Sequence, residues 1–117
     1  MSQVILTTSA ELKDRLTGFD VICSGTLVLD LDILVGIVDL VLDAPTVDLD
    51  LTFPTSLITA KVLIVKPIGN LADLTVKISG SSDPLEVPKG ATLMAYNATS
   101  VSVSSTTGGT IQFAIGG

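Results

Sequence analysis

Apolar and polar residues alternate with a period of two along most of this chain, the signature of strands with one face buried. In TLVLDLD, Leu27, Leu29 and Leu31 share one parity while Asp30 and Asp32 take the other. In TVDLDLT the same holds for Val47, Leu49 and Leu51 against Asp48 and Asp50. SVSVSS sets Ser100, Ser102 and Ser104 opposite Val101 and Val103, and TIQFAIGG gathers Ile111, Phe113 and Ile115 on one side. Only TTSAELKDRLTG reads differently. Thr8 with Glu11 forms a capping box, Leu12 and Leu16 are spaced i,i+4, and Gly18 supplies a stop, so a short helix is predicted over residues 9–17.

Breakers then recur at a near-constant step. Gly25, Pro45, Pro67, Pro88 and Gly109 are separated by 20, 22, 21 and 21 residues, each between two short β-prone segments. A coil of that length cannot bury its own aliphatic residues but can stack them on the next coil. The period therefore predicts a single all-β domain over residues 1–117, a short parallel β-helix or solenoid of about five coils whose open first coil is capped by the helix. The alternative is a β-sandwich or jelly roll, because its strands recur every 8–12 residues or so and two of them fill one such interval.

Composition sharpens the picture. Apolar residues make up 47% and charged residues 15%, with aromatics at 3%, so the core is aliphatic and polar cover is scarce. A monomer so constituted exposes apolar patches, which points to a homo-oligomer or a larger assembly. The net charge of −6, with Lys13, Arg15, Lys61, Lys66, Lys77 and Lys89 as the cations, leaves no basic stripe for nucleic acid. Between Asp32 and Asp39 lie only ILVGIV, far short of a membrane span. No secretory signal is visible at the start, and outside a virion the chain is expected to be soluble. Cys23 is alone in the apolar run FDVICSG and reads as a buried structural thiol.

Candidate chemistry is sparse. There is no histidine, and no P-loop, GxSxG or GxGxxG pattern, so neither catalysis nor a cofactor is expected. The aspartates read first as the solvated face of an apolar coil, which discourages unwanted edge pairing. In the coil stacking, Asp30 would sit beside Asp50 about 4.8 Å away. Asp30, Asp32, Asp48 and Asp50 are therefore also candidates for part of a calcium shell, and third for a surface that docks a basic partner. At the far end, Ile111, Phe113 and Ile115 belong to a charge-free strand with no proline or cap after it. They are candidate interface residues, unless that strand is paired within its own domain.

The segment SAELKDRLTGFDVICSGTLVLD resembles the entrance of right-handed parallel β-helix proteins, the group that includes phage tail spikes and pectate-lyase-like proteins. The resemblance covers 22 residues and implies a parallel β-helix. For so short a chain it further implies a virion component, such as a capsid decoration (cement) protein or a tail or fibre part, in contact with other virion proteins. The resulting expectation is a non-enzymatic structural protein. A glycan- or ligand-binding β module, with or without calcium, is the alternative; the scarcity of aromatics argues against it, since sugar faces usually stack on Trp or Tyr and only Tyr96 is available.

Overall fold

The alternation is realised as ten strands in a computed structural model that describes residues 2–14 and 19–117. They are β1 (Ser2–Asp14), β2 (Phe19–Leu31), β3 (Leu34–Leu42), β4 (Thr46–Asp50), β5 (Ala60–Ile68), β6 (Leu74–Ile78), β7 (Leu85–Val87), β8 (Leu93–Ala98), β9 (Val101–Ser105) and β10 (Gly109–Gly116). No helix forms among the described residues. Every strand pairing is antiparallel, in one two-stranded sheet, β1-β2, and two four-stranded sheets ordered β3-β10-β5-β8 and β4-β9-β6-β7.

The two four-stranded sheets face each other across one aliphatic core. Leu63, Val65, Ile111 and Ile115 from the first sheet meet Leu74, Val76, Val101 and Val103 from the second. Along the chain, β3 to β6 alternate between the sheets, β7 stays in the second, and β8 to β10 alternate again. That swirl of eight strands is a jelly-roll sandwich. Its strands begin at residues 34, 46, 60, 74, 85, 93, 101 and 109, so the 20–22 residue step in the sequence spans about two strands and not one coil.

Three expectations are thereby corrected. The parallel β-helix of about five coils is not formed, and its breakers occupy unlike places. Pro45 lies between β3 and β4, Pro67 lies inside β5 beyond the residues that pair with β8, and Gly25 lies mid-strand opposite Thr8. Pro67 is tolerated there because β5 has a free edge once β8 has ended. The helix over residues 9–17 is replaced across 9–14 by the end of β1, while 15–17 lie outside the described residues. QVILTT is rich in β-branched residues, and the continuous 13-pair register with β2 outweighs one capping box on a nine-residue helix. Finally, β10 is an inner strand, paired on one side to β3 and on the other to β5.

The β1-β2 ribbon stands apart from this sandwich. Its 13 paired positions run about 40 Å at the usual strand rise. The radius of gyration of 15.7 Å accordingly exceeds the roughly 13 Å of a compact chain near this length. At its base, Leu6 and Leu31 are buried against Val62 on the outer face of the β3-β10-β5-β8 sheet, with Val4, Leu29, Ile64 and Met94 around them. Gly116 makes this seat possible, since a Cβ there would lie 2.6 Å from the Leu31 side chain. The link between β2 and β3 is held by Gly117, whose carbonyl accepts from Asp32 N at 2.9 Å and Ile33 N at 2.8 Å.

Candidate interaction surfaces

In the β1-β2 arm, residues directly opposite one another share a face. Val4 with Leu29 and Leu6 with Leu27 make one face, which starts on the body and continues past it. The other carries Ile5 with Val28, 64% and 51% exposed, beside Gln3 and Asp30, where Gln3 Nε2 donates to Asp30 Oδ1 at 3.0 Å. An isolated two-stranded ribbon is marginal in water. An arm with aliphatic residues on both faces near its base is suited to contact with something beyond its own body.

The outer face of the β4-β9-β6-β7 sheet has the opposite character. Ser102 and Ser104 of β9 sit beside Lys77 and Thr75 of β6, while Val101, Val103 and Val76 point into the core as the alternation requires. Asp50 lies opposite Ser102. Asp48 stands at a bulge in β4, where the step from Thr46 to Leu49 spans only Ser105 to Val103 on β9, and it adopts a φ of 47°. Its N–H donates to Ser104 Oγ at 2.9 Å, and its carboxylate pairs with Lys77 Nζ at 3.1 Å. The extra residue breaks the parity read from TVDLDLT, so Val47 faces solvent at 76% exposure while Leu51 remains buried.

The four aspartates singled out in the sequence therefore do not converge. Asp30 lies on β2 against Gln3, Asp32 in the link to β3, and Asp48 and Asp50 on β4 against β9. The stack of Asp30 on Asp50 belonged to the coil and is absent, and among the described residues no three carboxylates, thiols or imidazoles come together to hold a metal ion. The C-terminal candidates are corrected as well. Ile111 and Ile115 are fully buried and Phe113 packs against the same core, because β10 is covered on both edges. The burial expected of Cys23 lies outside what the structure describes.

One polar constellation had no signal in the sequence beyond a hydroxyl-rich stretch before two glycines. Asp73, between β5 and β6, receives the SSTTGG turn that joins β9 to β10. Its carboxylate accepts from Ser105 Oγ at 2.6 Å, Thr107 Oγ1 at 2.8 Å, Thr106 N at 2.9 Å, and Thr106 Oγ1. The Ser105, Thr106 and Thr107 hydroxyls hold the Asp73 carboxyl well below the usual carboxylate range, helped by the Thr106 N–H and opposed by partial desolvation. Ser105 Oγ in turn accepts from Gly108 N at 3.1 Å. Every oxygen of this group is engaged in holding the turn, so the constellation is a latch and not a nucleophile site.

Compared with known proteins, the chain matches no family model, no curated protein and no solved structure. No helix among the described residues is long and apolar enough to cross a membrane.

Proposed function

We propose that this chain is a non-enzymatic assembly module, a jelly-roll body that joins a larger structure through its β1-β2 arm. The single observation that supports the reading is the arm itself, a 13-pair ribbon that leaves the sandwich with Ile5, Leu27 and Val28 exposed. The setting we propose is a virion, as a decoration or fibre component, since capsid subunits are among the proteins built on jelly rolls. Light scattering across a range of concentrations tests the reading. Masses above the monomer are expected, reduced by Ile5→Ser with Val28→Ser. A strict monomer at every concentration overturns it.

A second reading is favoured by the fold together with one surface. Lectin domains share the jelly-roll arrangement, and the β4-β9-β6-β7 face offers Asp50, Lys77, Thr75, Ser102 and Ser104 as hydrogen-bonding groups for a polyhydroxyl ligand. This module would work without calcium, given the separation of the aspartates. Binding on a glycan array that is lost in Asp50→Ala and Lys77→Ala supports it, and an array blank for the wild-type chain removes it.

A further inference from the structure

We propose that the arm pairs edge to edge with the arm of a second copy of this chain, β1 against β1, antiparallel about Thr8. This rests on the assembly reading above and specifies its partner and register. The edges of the two sandwich sheets are β3 and β8, and β4 and β7. The edge strand β3 is bulged, three of its residues spanning two of β10. Likewise β4 is bulged at Asp48, β7 has only three residues, and β8 runs for only six with Asn97 turned to a φ of 57° one residue before its end. Those are devices by which natural sheets refuse additional strands. By contrast β1 is long, its register with β2 runs without a break from Ser2 to Asp14, and QVILTTSA contains no charge and no proline.

The ribbon has two edges, and two observations select β1. Along β2, Lys61 Nζ donates to the Asp30 carbonyl at 3.0 Å, so a body side chain already occupies that strand near its base. The full-length two-fold pairing of β2 with itself would also set Asp20 opposite Asp30 of the second copy, like charges in register, twice per dimer. The corresponding pairing of β1 sets Gln3 opposite Lys13 of the second copy, Val4 opposite Leu12, Leu6 opposite Ala10 and Thr7 opposite Ser9, with no like charges facing. Such a contact is isologous and closes on itself, giving one four-stranded sheet shared by two bodies. The outer half of each arm then lies beside the base of the other, where Val4 and Leu6 rest on the sheet.

The test is oxidative crosslinking of the full chain with Cys23 replaced (Cys23→Ala), read together with mass in solution. The two-fold axis brings residue 8 of both copies within disulfide reach. Thr8→Cys is expected to convert the dimer to a covalent one, as is the double variant Thr7→Cys with Ser9→Cys, whereas Thr26→Cys on β2 gives no more than the cysteine-free background. Because each copy carries a net charge of −6, the dimer tightens as salt rises. A multimer that crosslinks at neither β1 variant, or equally well at Thr26→Cys, overturns this pairing and leaves the assembly reading standing. A strict monomer overturns both.

Discussion

Truncating Ile111 to alanine separates the two roles open to the last strand. As an edge contact it would cost assembly, and as the centre of a sheet it costs stability. Ile111 is wholly buried between Leu40 on β3 and Pro67 on β5. The substitution removes three side-chain carbons, about 2.4 kcal/mol at roughly 0.8 kcal/mol per buried methylene. An inner strand paired on both sides collapses poorly onto the space left, and about 24 cal/mol per Å3 over some tens of Å3 adds about 1 kcal/mol. The expected loss is therefore about 3–4 kcal/mol. With an unfolding entropy near 2.1 cal/mol/K per residue, that is a fall in Tm of about 12–16 °C for this chain. Urea unfolding followed by circular dichroism, at two protein concentrations so that any association is visible, gives the midpoint and slope. Val41→Thr, on a side chain of β3 that is 72% exposed, is the control and should stay within about 0.5 kcal/mol. A loss under about 1 kcal/mol for Ile111→Ala, or a fall in assembled mass at unchanged midpoint, would refute the placement of β10 at the centre of the sheet.

The Asp73 latch gives a pH signature. Its folded carboxyl lies below the unfolded value of about 3.9, so its stabilisation is complete above that pH and is lost as pH falls through the lower folded value. Thermal scans down to about pH 2 should show Asp73→Asn less stable than wild type near neutrality, with the gap closing in acid; parallel curves would show that the hydroxyls do not hold the carboxylate. Gly108→Ala places a side chain at a φ of +73° with its Cβ 2.8 Å from the Leu42 carbonyl oxygen. A loss above about 2 kcal/mol in the same urea experiment is expected, and a neutral result would mean that this turn is free to take another path.

The β character was legible because a period of two survives in nearly every segment, and the apolar residues of β9 and β10 were correctly grouped. What was not legible was which strands meet. Short strands punctuated by Gly and Pro look alike whether they stack in parallel coils or cross between two sheets, and the choice is made by pairings far apart in sequence, such as Ile111 with Leu40. The same distance explains why Ile111, Phe113 and Ile115 read as an open edge: their apolarity was visible and their neighbours were not. The helix failed because Thr8 and Glu11 fit a capping box and an extended ribbon equally well, and residues 19–31 supplied the ribbon. Val47 was misplaced by a single added residue at Asp48. Asp73 was overlooked because nothing near it in sequence reports the three hydroxyls that reach it from positions 105–107.

The placement of β10 also has a meaning in time. It follows both β3 and β5 along the chain, yet it lies between them in the sheet, and they have no pairing with each other. Until β10 arrives, β3 has no neighbour in its sheet and β5 presents an open apolar edge to the solvent. Closure must join residues some 40 to 80 positions apart, the kind of contact that makes folding slow and leaves sticky intermediates while it is pending. For this molecule the rate of docking one eight-residue segment sets how long such an intermediate is exposed, and a chaperone or a neighbouring copy would have to compete with that segment to divert it.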